Sequence, residues 1–172
     1  MRRIFVTVGP QGAGKSVYCK KIIQEHSSVK LICRDEILFS LFGSSWIDPH
    51  TGGHFRAKEI MFERLSGLLI QEDADIIVDS YTGRSYERRE LTSKLRELGA
   101  ERVLALNFLT PADVCYQWFF EREGHPSTQN EAGEKERYLE YHRAYRSEPV
   151  NMEEGFDRII RVNPIQGDLF FL

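Results

Sequence analysis

The stretch GPQGAGKS, residues 9–16, constrains this chain more than any other, because it directly follows the apolar run IFVTV at residues 4–8. It fits the pattern G-x-x-x-x-G-K-[ST], in which an apolar strand leads into a glycine-rich loop that opens a helix. Gly12 and Gly14 allow the backbone to turn sharply without a Cβ in the way. The stretch therefore predicts a strand–loop–helix unit at the start of an α/β domain.

The same loop has the chemistry to bind phosphate groups. Backbone N–H groups turned inward, together with the positive end of the following helix, attract an anion. Lys15 offers a mobile cation, and the Ser16 hydroxyl is a ligand for Mg²⁺. We predict that a nucleoside triphosphate, taken to be ATP with Mg²⁺, binds at Gly9, Gln11, Gly12, Ala13, Gly14, Lys15, Ser16 and Val17. A glycine-rich turn without a ligand is the alternative.

Strand and helix patterns alternate along the rest of the chain. Strands are predicted at residues 4–8, 29–33, 74–79, 102–108 and 158–162. Helices are predicted at 15–25, 35–42, 55–71, 86–98, 111–123 and 132–145. Strands that are apolar without alternation are typical of a parallel sheet covered on both faces. The order predicts a three-layer α/β fold with a central parallel sheet of about five strands.

The connections at 43–54 and 124–133 are long enough to be lids or binding loops, or are ordinary surface loops.

The composition is that of an ordinary globular domain. The hydrophobic fraction is 41% and the net charge is −3, which gives no support to broad, non-specific nucleic-acid binding but leaves room for a local basic cleft. The three cysteines lack the CxxC spacing, which favours reduced thiols. No apolar run approaches the ~20 residues of a transmembrane helix. We therefore expect a cytoplasmic protein without membrane contact, folded as one domain over residues 1–172.

An aspartate ends the predicted third strand, in the segment IIVD. An apolar strand followed by a carboxylate is the arrangement that holds Mg²⁺ beside a phosphate loop. Asp79 is therefore a candidate metal-binding residue, together with Ser16. A turn aspartate or a helix N-cap would give the same pattern.

A second carboxylate favours a kinase over other proteins with such a loop. The chain has no Asn-Lys-x-Asp segment to read guanine, and it is short for a motor ATPase. Asp35 follows the predicted second strand, so it would lie beside the phosphate loop at the same edge of the sheet. There it could accept a proton from a hydroxyl that attacks the γ-phosphate. A simple N-cap for the next helix is the alternative role of Asp35.

Four segments together resemble the polynucleotide 5′-hydroxyl kinase family: GPQGAGKS, the pair Arg34-Asp35, the pair Asp79-Ser80, and the triplet ERR at residues 87–89. That family belongs to a wider group of P-loop kinases with zeta toxins, gluconate kinases and chloramphenicol phosphotransferases. The resemblance runs to about residue 145. It implies an adenylate-kinase-like P-loop NTPase fold with a helical lid at about residues 111–146.

The resemblance also implies roles for individual residues. Lys15 and Ser16 would hold ATP and Mg²⁺, and Asp35 would be the general base. Arg34 and Asp79 would lie near the acceptor. Arg122 falls where the family has a lid arginine, which neutralises charge on the transferring phosphoryl group. Pairing with a neighbouring glutamate, or with the helix dipole, is the alternative for Arg122.

Two positions depart from the family and leave the acceptor open. Leu38 stands where many members carry an arginine for the phosphate beyond the acceptor nucleotide, and Trp118 replaces a second lid arginine. Trp118 either stacks on a base or packs in the core, and we favour the core. The 5′-hydroxyl end of DNA or RNA is the favoured acceptor. A small-molecule hydroxyl, or a nucleotide-binding module without catalysis, is the alternative, and a ligase or phosphatase partner stays open.

Two further groups are weaker candidates. Arg84 and Arg88 share a helix face and either contact a substrate phosphate or belong to a solvated face balanced by Glu87 and Glu90. An aromatic stripe at helical spacing is expected in the core, with base stacking as the alternative. The stripe consists of Tyr138, Tyr141, His142 and Tyr145.

Overall fold

The computed structural model describes residues 1–45, 47–70, 75–121 and 134–166. The strands in these residues are β1 (Arg3–Val8), β2 (Val29–Cys33), β3 (Asp75–Asp79), β4 (Arg102–Phe108) and β5 (Arg158–Val162). The α-helices are α1 (Lys15–Glu25), α2 (Arg34–Phe42), α3 (Gly53–Leu69), α4 (Ser85–Glu97), α5 (Ala112–Glu121) and α6 (Glu134–Ser147). Short 3-10 helices cover Pro49–Thr51 and Met152–Glu154. The predicted helix and strand boundaries at residues 71, 74, 123 and 132 lie outside the described residues.

The strands form one parallel sheet in the order β2-β3-β1-β4-β5. Successive residues of a strand face opposite sides, so Ile4 and Val6 join one buried cluster and Phe5 joins the other. The first cluster includes apolar residues of α3 and α4, and the second includes residues of α1 and α5. The predicted three-layer α/β fold with a parallel sheet is confirmed.

All five strands end at the same edge of the sheet, and this edge carries the residues singled out in the sequence. Cys33 pairs with Asp79 in the register of β2 and β3, so Asp35, the second residue of the next helix, follows at the same edge as Asp79. β1 lies next to β3 on the other side and leads into the glycine-rich loop. The parallel order therefore brings three distant segments of the chain to one place.

The glycine-rich loop depends on its glycines. Gly12 has φ +76° and Gly14 has φ +86°, the left-handed region in which a side chain is strained. A Cβ on Gly12 would also collide with the backbone carbonyl of Cys115 in α5. The loop shape is therefore set by its own backbone and by close packing against α5.

The three cysteines, Cys19, Cys33 and Cys115, are free thiols. Within the described residues, no helix combines the length and apolar character needed to cross a membrane.

Candidate active site

A cavity of about 530 Å³ lies at the carboxyl edge of the sheet, within the range of small-molecule sites. All eight loop residues predicted to bind the nucleotide line it, and so do Arg34, Asp35 and Asp79. The other lining residues are Ser45, Ile47, His54, Ser80, Tyr81, Trp118, Phe119, Glu121, Arg137, Tyr141 and Tyr145.

Lys15 lies at the first position of α1, where its side chain folds back over the loop. Its Nζ donates hydrogen bonds to the carbonyl oxygens of Gly9 at 2.8 Å and Pro10 at 2.9 Å. The ammonium group therefore lies beside the backbone that the pattern predicts will surround the phosphates. Gly14 is the N-cap of α1, so the positive end of this helix also points into the loop.

Asp79 ends β3 within the cavity and is oriented by its neighbour on β1. Thr7 Oγ1 donates a hydrogen bond to Asp79 Oδ1 at 2.6 Å. Cys33 Sγ lies 3.9 Å from Asp79 Oδ2, and burial together with the charge of Asp79 raises the pKa of this thiol to about 12. Cys33 therefore stays protonated. The N-cap of α4 is Arg84, so capping of that helix is not the role of Asp79.

The residues present fit Mg²⁺. This ion prefers oxygen ligands and is usually held by one or two protein groups, with water and substrate phosphates completing its shell. The Ser16 hydroxyl and the Asp79 carboxylate supply such oxygens, and both line the cavity.

Asp35 lies in the first turn of α2, and the N-cap position of that helix is Cys33. The structure thus places Asp35 inside the helix and in the wall of the cavity, one residue after Arg34. A carboxylate in the first turn is stabilised by the positive end of the helix. Asp35 is therefore a residue of the cavity wall and not the cap of α2.

Arg34 is held by His54, the second residue of α3. The Arg34 Nη2 atom lies 3.4 Å from His54 Nδ1, and His54 Nε2 lies 3.1 Å from the carbonyl oxygen of Ile47. A carbonyl only accepts, so we assign the proton to Nε2, and Nδ1 accepts from Arg34. Burial and the nearby Arg34 charge lower the pKa of His54, which keeps this neutral form.

The aromatic stripe on α6 is divided between the core and the cavity. Tyr138 and His142 are buried, as expected, whereas Tyr141 and Tyr145 line the cavity with Arg137. The His142 Nε2 atom donates to the Gln11 carbonyl oxygen at 3.1 Å, which ties α6 to the glycine-rich loop. The expectation of a wholly buried stripe is therefore only partly right.

Trp118 is not a core residue, and our favoured interpretation of it was wrong. Its side chain is 37% exposed and lines the cavity. Trp118 Cζ3 lies 3.2 Å from the point where a Cβ on Gly14 would stand, and Pro164 Cβ lies 3.3 Å from the same point. The neighbouring Phe119 is buried against Tyr138 instead, so the helix directs Phe119 inward and Trp118 toward the loop.

Arg84 and Arg88 do not line the cavity. Arg88 is fully buried and makes a two-pronged ion pair with Glu154, with Nε–Oε2 at 2.6 Å and Nη2–Oε1 at 2.7 Å. It also donates to the carbonyl oxygens of Thr82 and Glu148. The substrate-binding role considered for Arg88 is therefore wrong, because its donors are committed to the fold. The alternative of a solvated face is also wrong for Arg88, because its side chain is fully buried. Arg84 pairs with Glu148 at 3.1 Å.

Arg122 and the connection at 124–133 lie outside the described residues, so the lid arginine stays a prediction. Several cavity residues were missed by the sequence interpretation, notably Ser45, Ile47, His54, Tyr81 and Arg137. Arg137 had a signal of its own, because it stands four residues before Tyr141 and shares its helix face. Ser45, Ile47 and His54 lie in the connection at 43–54, whose length indicated a possible binding loop without singling out a residue.

A model of the AAA_33 family, described as an AAA domain, matches residues 4–147. The chain belongs to this family. No curated protein matches the sequence of this AAA_33 domain.

Solved structures share the fold of this AAA_33 domain at low sequence identity. A chain of the Pnkp1/Rnl/Hen1 RNA repair complex is 17% identical with a TM-score of 0.68, over 85% of the present chain and 45% of that chain. A fungal RNA kinase is 18% identical with a TM-score of 0.63, over 94% and 74%. Shikimate kinase from Acinetobacter baumannii is 14% identical with a TM-score of 0.58, over 95% and 84%.

The AAA_33 domain thus spans about 45% of the length of the chain that it matches in the RNA repair complex. The likenesses show that it has the fold of P-loop kinases, and the predicted resemblance to this group is confirmed.

Proposed function

We propose that this protein is an ATP-dependent kinase that transfers the γ-phosphoryl group to a hydroxyl, and that the hydroxyl is the 5′ end of DNA or RNA. The observation that carries the proposal is the shared cavity. This cavity contains both the phosphate-binding loop, which follows the central strand β1, and the Asp35 carboxylate, which follows the edge strand β2. The names of two structural neighbours, an RNA repair complex and an RNA kinase, support a nucleic-acid acceptor.

The reaction assigns one role to each group. The acceptor oxygen attacks the γ-phosphorus while the bond from that phosphorus to the β–γ bridging oxygen breaks, and ADP leaves. The hydroxyl proton passes to the Asp35 carboxylate. Lys15 turns from the loop carbonyls to the β- and γ-phosphates and stabilises their charge. Ser16 and Asp79 would hold Mg²⁺, which when bound neutralises charge on the same phosphates.

Arg122 completes the proposal as the lid arginine. Such a residue stabilises charge on the transferring group and raises the rate by roughly 10³-fold or more.

Transfer of labelled γ-phosphate from ATP to an oligonucleotide with a free 5′-hydroxyl tests the proposal directly. We expect the label at the 5′ end, and we expect Lys15→Ala to lose it, because the loop then lacks its cation. An oligonucleotide that already carries a 5′-phosphate is the matched acceptor control. No label, with ATP still bound, would contradict the nucleic-acid acceptor.

A small-molecule hydroxyl is the second candidate acceptor, supported by the likeness to shikimate kinase. In that case small hydroxy compounds would receive label and short oligonucleotides would not compete. A module that binds nucleotide without catalysis would bind ATP and label neither acceptor.

A further inference from the structure

Two buried polar atoms in the cavity wall lack a hydrogen-bond partner among the described residues. They are Arg34 Nε and Ser45 Oγ. Ser45 as a whole is only 8% exposed, so little bulk solvent is available to satisfy its hydroxyl. Buried donors are nearly always paired in folded proteins, and two unpaired donors in one wall indicate a ligand that pairs with them. Tyr18 and Tyr138 also have unpaired hydroxyls, but neither lines this cavity.

These two donors belong to the acceptor side of the cavity. The strand order puts β2 at one edge of the sheet and β5 at the other, with the glycine-rich loop between them. Arg34 directly follows β2 and precedes Asp35, whereas Trp118 and Pro164 follow β4 and β5. A ligand on Arg34 would therefore lie next to the proposed base, away from the side that holds the nucleotide.

The chemistry of Arg34 Nε and Ser45 Oγ favours an oxyanion as the ligand. A guanidinium Nε–H and a hydroxyl both donate, and the guanidinium carries a positive charge at all accessible pH values. Two carboxylates lie near Arg34, but Glu87 Oε2 already accepts the backbone N–H of Arg84, and Asp35 is the proposed base. The position one turn after Asp35 contributes nothing here, because Leu38 is fully buried.

We propose that Arg34 and Ser45 bind an anionic group of the acceptor, beside the hydroxyl that is phosphorylated, and that His54 is a positioning residue for Arg34. The proposal rests on the proposed kinase function. The His54 ring bridges Arg34 Nη2 and the Ile47 carbonyl, so it links the guanidinium to the connection that also carries Ser45. An acceptor that bears a phosphate or a carboxylate is then preferred over a neutral one.

Binding to the protein loaded with ADP and Mg²⁺ tests the site without requiring transfer. Calorimetric titrations would use adenosine 3′-monophosphate, unphosphorylated adenosine, and the hydroxy acid gluconate. We expect one of the two anions to bind at least about tenfold more tightly than adenosine, because bonds to charged groups are the stronger ones. Which anion binds distinguishes a phosphate-bearing acceptor from a carboxylate-bearing one.

Variants assign the effect to these residues. Ser45→Ala and His54→Ala should each weaken anion binding by about tenfold and leave ADP binding unchanged. His54→Asn retains an acceptor for Arg34 and should restore most of the affinity. His50→Ala is the matched control, because His50 is exposed in the same connection and does not line the cavity. In transfer assays, His54→Ala should raise the acceptor KM with kcat changed less than about twofold.

The proposal is wrong if neither anion binds better than adenosine, or if Ser45→Ala and His54→Ala leave anion affinity unchanged. Failure of the kinase function has a different signature, namely anion binding that responds to these variants without any transfer of label.

Discussion

Asp35 and Glu36 stand side by side in the first turn of α2, but of the two only Asp35 lines the cavity. On the proposed mechanism, Asp35→Asn removes the proton acceptor without changing the shape of the site. We expect transfer to fall about 10²–10⁴-fold with ATP affinity retained. Single-turnover rates and nucleotide titration measure the two effects. Glu36→Gln is the control, and an Asp35→Asn enzyme as fast as the wild type would refute the assignment of the base.

The position of Trp118 leads to a prediction about how the base of the donor nucleotide binds. Its exposed ring lies over Gly14 at the mouth of the loop, so we expect it to stack on the base of ATP. Trp118→Ala should weaken ATP binding by about tenfold, and tripolyphosphate, which lacks a base, should bind as before. The chain has two tryptophans, so in a Trp46→Phe background ATP should change the emission of Trp118 alone. Equal losses for ATP and tripolyphosphate would contradict stacking.

Between elements, the buried pair of Arg88 and Glu154 joins α4 to the 3-10 helix Met152–Glu154. Glu154→Gln leaves the buried guanidinium without its counter-charge, which costs about 3–5 kcal/mol of unfolding free energy. Urea denaturation measures it. Arg89→Ala, at an exposed position on the same helix, should change stability by less than about 0.5 kcal/mol. A similarly small effect of Glu154→Gln would show that the pair is not needed.

The contact between α6 and the glycine-rich loop predicts a pH dependence. Burial lowers the pKa of His142, as do the charges of Arg146 and Lys15, while its bond to Gln11 opposes them. As the pH falls, the histidine of the unfolded chain, with a pKa of about 6.5, therefore binds a proton at a higher pH than His142 in the folded protein does. Stability is full above that pH and falls as the pH drops below it, and His54 acts in the same direction.

We expect the unfolding free energy to decrease between about pH 7 and pH 5. His142→Gln should remove part of this slope, and the exposed control His50→Gln should retain it. Urea titrations at several pH values give the comparison. An unchanged slope in His142→Gln would rule out His142 as a source.

For the whole molecule, nucleotide binding across the sheet edge should raise thermal stability. ATP with Mg²⁺ at about a hundred times its Kd adds about 2.7 kcal/mol, or about 5–10 °C in Tm for a chain of this size. Thermal unfolding followed by circular dichroism measures the shift. Lys15→Ala should abolish most of it, and an equal shift in that variant would place the nucleotide elsewhere.

The parallel α/β fold could be predicted because the residue patterns of strands and helices are visible within short segments of the sequence. The glycine-rich pattern added that the first strand leads directly into a helix. The sequence also predicted the loop, Asp35 and Asp79 as cavity residues, since strand ends meet at one edge. It missed features that depend on distant partners. The buried pairing of Arg88 was not predicted because Glu154 is 66 residues away, and Ser45 and His54 were indicated only through the length of the connection that carries them.

The acceptor side of the cavity is drawn largely from one continuous stretch, residues 34–54, which carries Arg34, Asp35, Ser45 and His54. This stretch follows β2, an edge strand with a single neighbour, whereas the phosphate loop follows the central strand β1. The stretch can therefore be exchanged between relatives with little disturbance of the sheet. On the proposed function, choice of acceptor is then a separable trait in this architecture, open to divergence or to grafting while the nucleotide-binding part stays constant.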